Sequence, residues 1–116
     1  MADDSFKAFV VDQLSALPDI RARAMFGAHG IYSGEHFFAI LDEGRLFFKT
    51  DPATAQAYTD RGMGPFTYKS KGKVMTMSYH EVPPEVLESV RELVDWARPA
   101  IRLAATKTKA KKPSKQ

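Results

Sequence analysis

Between residues 20 and 49 the chain is a succession of short apolar runs with glycine-bearing links of about three residues, a spacing that admits antiparallel strands and nothing longer. The runs are residues 20–26, Gly30-Ile31-Tyr32, residues 36–41 and residues 45–49. Ser33-Gly34-Glu35 and Asp42-Glu43-Gly44 connect the last three, each with a glycine able to take the positive φ of a tight hairpin. In the first run Ile20, Ala22, Ala24 and Phe26 alternate with Arg21, Arg23 and Met25, the pattern of a half-exposed strand. A meander of four strands is the expectation.

Helical spacing frames this meander. Phe6, Phe9, Val10, Gln13, Leu14 and Leu17 form a stripe, with acids and Ser5 before it as caps, so a first helix is predicted over residues 5–16, ended by Pro18. Asp51-Pro52 is a helix start, because aspartate caps and proline at the first helical position gives up an amide that has no partner there. That second helix is predicted to reach Asp60 and to stop at Gly62 and Gly64. Phe66-Thr67-Tyr68 and residues 74–79 read as a second hairpin around Lys71-Gly72. Pro83-Pro84-Glu85 opens a third helix with the stripe Val86, Leu87, Val90, Leu93, Val94 and Ala97, which Pro99 is predicted to kink or end. The order α-β4-α-β2-α predicts a two-layer α+β domain, an antiparallel sheet of about six strands flanked by helices. Phe38, Phe47, Leu87, Leu93 and Trp96 are the expected core between sheet and helices.

The 116 residues suffice for one core, and 44% apolar with 27% charged content is ordinary globular usage. The absence of cysteine excludes disulfides, thiolate zinc sites and thiol nucleophiles together. No apolar run approaches the roughly 20 residues that cross a bilayer, and the acidic start Met1-Ala2-Asp3-Asp4 is unlike a signal peptide, so the expected location is the cytoplasm, with no membrane partner. The net charge of +3 is unevenly placed. Lys107, Lys109, Lys111, Lys112 and Lys115 hold five of the seventeen basic residues; the remaining twelve face fourteen acids, which leaves the body at −2. Residues 1–105 are therefore read as the domain and residues 106–116 as a disordered tail, too poor in apolar bulk to offset its ordering entropy.

No catalytic constellation stands out. His29, His36 and His80 lack the i, i+2 or i, i+4 spacing of preorganised metal ligands, so no metal and no cofactor is expected. Gly27-Ala28-His29-Gly30 lies between strands, whereas phosphate loops lead from a strand into a helix. Ser33, Ser70 and Ser78 sit in no nucleophile elbow, and Glu35, His36, Asp42 and Glu43 are more economically solvated turn residues than an acid/base pair. Met75, Met77 and Tyr79 suit either a core face or an adaptable contact surface. Arg21 and Arg23 with Lys69, Lys71 and Lys73 fit either a basic ridge or strand edges guarded against aggregation.

The segment Arg21-Ala22-Arg23-Ala24-Met25-Phe26-Gly27-Ala28-His29-Gly30-Ile31-Tyr32 resembles the strand-turn signature of the TfoX N-terminal-domain family, the module of the Sxy/TfoX regulators of bacterial natural competence. The resemblance continues through Phe38-Ala39-Ile40-Leu41, Gly44-Arg45-Leu46-Phe47-Phe48-Lys49, Pro65-Phe66-Thr67-Tyr68, Met75-Thr76-Met77-Ser78-Tyr79 and Trp96-Ala97-Arg98. It implies a helix-flanked antiparallel sheet like that of secretion chaperones, and a role in regulation. Together with the missing catalytic set it leads to a non-enzymatic protein-interaction module, with Arg21, Arg23, Tyr68, Lys71 and Tyr79 as expected contacts. The alternative is a small nucleic-acid-associated protein that binds weakly through Lys107, Lys109, Lys111, Lys112 and Lys115. Under that alternative, deleting residues 106–116 leaves the fold intact and abolishes duplex DNA binding, whose log affinity falls against log salt with a slope no steeper than about −4. A truncated chain that binds DNA with the same slope refutes it.

Overall fold

The structure, a computed structural model, describes residues 2–25 and 27–111. In chain order the elements are α1 (Ala2–Gln13), β1 (Ile20–Met25), β2 (Ala28–Ser33), β3 (His36–Asp42), β4 (Arg45–Lys49), α2 (Pro52–Thr59), β5 (Pro65–Ser70), β6 (Lys73–Glu81), α3 (Pro84–Leu87) and α4 (Val90–Lys111). The strands form one antiparallel sheet in the order β1-β2-β3-β4-β6-β5. The α+β expectation holds, and the four-strand meander is extended by a hairpin whose second strand is inserted beside β4. Among the described residues no helix is long and apolar enough to cross a membrane.

The β2–β3, β3–β4 and β5–β6 hairpins each turn on two residues, and in the last two both residues have positive φ. Glu43 and Gly44 have φ of 52° and 75°, Lys71 and Gly72 have 53° and 79°, and positive φ at both central positions matches the right-handed twist of the flanking strands. Asp51 caps α2 as expected: its carboxylate accepts from the Thr54 amide at 2.8 Å while the Thr54 hydroxyl accepts from the Asp51 amide at 3.0 Å. The Thr54 amide, the largest influence, holds the Asp51 carboxyl below its ordinary range.

A bulge divides the sheet's apolar residues. Ile31 pairs with Ala39 but Tyr32 with Phe37, which leaves Phe38 as an extra residue in β3. Phe38 and Ala39 thereby both reach the helical layer, whereas Ile40 belongs to the opposite face. The helical side buries Val10, Leu14, Ile31, Phe38, Phe48, Val86 and Leu93 completely. Leu87 and Trp96 pack at the rim of this core, half-buried. Phe47 is buried too, but on the far side of the sheet, a correction to its expected place between sheet and helices. Leu46 and Phe48 flank it and face the helices, so period-2 alternation turns Phe47 away.

The helices depart from the expected bounds in three ways. First, α1 starts at Ala2 and ends at Gln13, after which short-range hydrogen bonds (Ser15 N to Asp12 O, Leu17 N to Leu14 O) carry Leu14 and Leu17 into the core. Second, the helix after Pro83 is two helices. The Ser89 hydroxyl accepts from the Glu92 amide at 3.3 Å and restarts the spiral as α4, so the stripe is reset and Val90, a member of the expected stripe, is 49% exposed. Third, α4 runs through Pro99 to Lys111. A proline inside a helix costs about 3 kcal/mol. Beyond it Ala100 and Ala104 are buried and Ile101 packs on the core, contacts that are lost if the helix ends there. Of the segment expected to be a tail, the backbone as far as Lys111 is described as helix, and residues 112–116 lie outside the described residues.

The reset at Ser89 makes a contrast between neighbouring residues. Leu93→Ala is expected to cost about 2–5 kcal/mol in urea unfolding. Val90→Ala is expected to change stability by under about 0.5 kcal/mol, and a comparable cost at both positions contradicts the two-helix arrangement.

Candidate functional site

The face of the sheet opposite the main core carries a second apolar cluster, and among the described residues all of its members come from strands. Ile40, Phe47, Phe66 and Tyr79 are its buried centre, with Ala28, Phe37 and Met77 packed around them. Ring contacts extend it in both directions. Tyr32 stacks on Phe37 at 5.2 Å and Phe37 lies 5.6 Å from Tyr79, while Phe66 meets Phe47 edge-on at 5.0 Å and stacks on Tyr68 at 6.2 Å. Cations rest on two of these rings: the Arg23 guanidinium lies 5.5 Å from the centre of Tyr32, and the Lys49 ammonium 5.1 Å from that of Tyr79. The rings at the centre are buried, and solvent meets the half-buried Tyr32 and Phe37, the exposed Tyr68 and Met75 and the Arg23 guanidinium, a mixed aromatic and cationic margin suited to contact with another macromolecule.

The expected contact residues fall around this face in different ways. Arg21 and Arg23 project from β1, exposed; Arg21 is held by Asp19 at 3.0 Å. Both line a shallow depression of about 450 Å³ with Asp19, Tyr32, Gly34 and Glu35. Tyr68 is 44% exposed on β5, and Lys71 sits exposed in the turn that follows. Tyr79 corrects the expectation of an exposed anchor: it is 3% exposed, with its hydroxyl 3.5 Å from the Phe37 carbonyl oxygen. Burial, and secondarily the phenol of Tyr32, push its hydroxyl up to about 12. β1 and β5 are opposite edges of the sheet, about 24 Å apart at a strand spacing of about 4.8 Å, so Arg21 and Arg23 do not join Lys69, Lys71 and Lys73 in one basic ridge. Lys107, Lys109 and Lys111 fall on the last turns of α4, whereas Lys112 and Lys115 lie outside the described residues.

Phe37, Ile40, Phe47 and Phe66 were not singled out as a second surface by the sequence reading. The signal was present in Leu46-Phe47-Phe48, an apolar run without alternation, which marks a strand buried on both faces.

On the helical side, a cleft of about 390 Å³ between α2 and α4 is lined by Lys49, Thr54, Ala57, Tyr58, Asp95, Trp96, Pro99 and Ala100. Tyr58 meets Trp96 edge-on at 4.8 Å, and the Arg61 guanidinium lies 5.2 Å over the same indole while it pairs with Glu85 at 2.9 Å. Burial pushes the Tyr58 hydroxyl well above its ordinary range, which makes it a poor acid or base near neutrality. Among the described residues no three His, Asp or Glu side chains stand together as a metal-binding group. His29 and His36 are on β2 and β3, and His80 on β6 has its Nδ1 2.9 Å from the Thr50 hydroxyl.

Burial lowers the His80 pKa below 6.5, so the fold favours the neutral ring. Its contribution to stability is therefore fully present above about pH 6.5 and is lost as pH falls through the lowered folded value. Thermal unfolding is expected to show a smaller loss of stability between about pH 7.5 and about pH 5.5 in His80→Gln than in the unaltered chain. Equal losses contradict this role for His80.

No curated protein matches the chain. The family model of the TfoX N-terminal domain matches residues 12–104, which run from the end of α1 through the whole sheet into α4 and take in the strand-built cluster and the main core apart from the α1 residues Phe6, Val10 and Val11. A match over most of the chain, on the elements that build sheet and core, shows the family: the chain belongs to the TfoX N-terminal domain family.

Proposed function

We propose that this chain is a non-enzymatic protein-interaction module of transcriptional or competence-type regulation, active in the cytoplasm, and that it meets its partner with the sheet face opposite its helices. The observation that carries the reading is the strand-built aromatic cluster Phe37, Ile40, Phe47, Phe66 and Tyr79, with Arg23 and Lys49 seated over rings at its margin. Membership of the TfoX N-terminal domain family supports the regulatory role. The non-enzymatic part is supported by chemistry: the Ser33 hydroxyl is committed to the Pro18 carbonyl oxygen at 2.7 Å, and the His80 Nδ1 lies 2.9 Å from the Thr50 hydroxyl. Aromatic and arginine side chains dominate interface energies, so Arg23 and Tyr68, with Arg21 and Lys71 at the rim, are the contacts that matter most.

Affinity capture from native cytoplasm, with and without nuclease, tests this. A protein partner retained after nuclease, and bound at least tenfold more weakly by Arg23→Ala and Tyr68→Ala, is the expected result. Single replacements of His29, His36, Glu35 and His80 are expected to leave capture unchanged. Capture that disappears with nuclease and with Lys107, Lys109, Lys111, Lys112 and Lys115 removed favours the nucleic-acid reading instead. Turnover of a metabolite that vanishes in the histidine variants refutes the non-enzymatic one.

A further inference from the structure

We propose that the outer edge of β6, along the projecting end of the β5–β6 hairpin, accepts an extended acidic segment of a partner protein, which joins the sheet as an additional strand. The inference builds on the protein-interaction reading and adds a second mode of contact, through main-chain pairing at an edge.

The edge is open for a topological reason. β6 spans nine residues, yet β4 pairs with it only at Tyr79, His80 and Glu81. One further hydrogen bond, from the Thr50 amide to the Ser78 carbonyl at 2.8 Å, follows before Asp51 caps α2 and the chain turns away. Among the described strands, residues 73–76 of β6 pair with β5 alone. Between Pro65 and Thr67 the β5–β6 register shifts from His80 to Thr76, an irregularity that separates the projecting ribbon from the body of the sheet.

The register also fixes which main-chain groups face outward. Ser70 and Lys73 close the two-residue turn and exchange hydrogen bonds, as Tyr68 and Met75 do one period further on. Val74 and Thr76, between those positions, direct their N–H and C=O groups to the other side, in line with the outward-facing Ser78 carbonyl that Thr50 reaches. Both residues are exposed, Val74 at 64%. An incoming strand finds there two adjacent sets of donors and acceptors, the arrangement by which edge strands take up peptides.

Charge selects the occupant. The ribbon carries Lys69, Lys71 and Lys73, all exposed, and residues 61–80 contain no aspartate or glutamate. Side chains directly opposite on paired strands stand about 5 Å apart, so an acid across from Lys73 is favoured and a lysine there is disfavoured. Met75, 42% exposed, offers an adaptable contact to the methylene stem of the next acid on the same face. A second copy of this chain brings another three lysines to the same edge. A nucleic-acid backbone satisfies the lysines but leaves the main-chain groups of Val74 and Thr76 and the Met75 side chain unused. The lysines that discourage indiscriminate edge pairing thus act as the filter for an acidic strand.

The test uses the full chain and an acetylated, amidated octapeptide of alternating Glu and Val, with the Lys/Val peptide and a Glu/Val peptide N-methylated at every second amide as controls. Expected are saturable binding of the Glu/Val peptide alone, with the Val74 and Thr76 amides protected from hydrogen exchange. Thr76→Pro removes an outward N–H and spares the ladder to β5, so it is expected to weaken binding at least tenfold without lowering the melting temperature. If that variant unfolds, the N-methylated peptide carries the same comparison. Replacing Lys69, Lys71 and Lys73 with glutamate is expected to exchange the preference to the Lys/Val peptide. Equal binding of all three peptides, or none, overturns the proposal. So does protection of Val74 and Thr76 by duplex DNA, or by self-association that Thr76→Pro abolishes. Peptide binding reads the β6 edge, and partner capture by Arg23→Ala and Tyr68→Ala reads the sheet face, so either inference can fail while the other stands.

Discussion

One extra residue in β3 governs how the aromatic content of this small domain is distributed. Strand geometry sends alternate side chains to opposite faces, and without an irregularity Phe38 and Ile40 share one of them. The bulge at Phe38 breaks that rule once. Phe38 packs at 5.9 Å from Phe48 under the helices, while Phe37, one residue earlier, reaches Tyr79 on the far side. Both layers of the molecule follow from this division: a main core closed by α1 and α4, and a strand-built aromatic surface behind it.

Local signals were sufficient for most of the architecture. Glycine at the turns, the Asp51-Pro52 start and the alternation in β1 each act over a few residues, so the strands and α2 were legible from the chain alone. The misplacements share a different origin. Phe47 and Tyr79 were given the wrong surroundings because the role of a strand face depends on what covers it, which periodicity does not encode. Val90 was placed on one apolar stripe because a continuous pattern conceals a helix that stops and restarts at Ser89. Pro99 sits inside α4 because buried residues beyond it offset a local cost.

The candidate surface was partly legible for the same reasons. Arg21, Arg23 and Tyr68 were recognisable as exposed by type and alternation. That the two arginines and the tyrosine occupy opposite edges is a property of strand order, with β6 inserted between β4 and β5. The insertion also sets β5 and the projecting part of β6 apart from the rest of the sheet.

The same insertion has a consequence for how the molecule assembles. β1 to β4 pair through neighbouring hairpins, and β5 with β6 through another, so each group is closed by contacts local in sequence. They meet along the pairs Phe47 with Glu81, Phe48 with His80 and Lys49 with Tyr79. That junction is short, and its partners stand 30 to 34 residues apart along the chain. Loop-closure entropy opposes such a contact until both halves exist, which makes it a late event in folding. The main-chain boundary between the two groups is narrow, and the ring contacts of Phe47 with Phe66 and of Phe37 with Tyr79 are what tie them together across it.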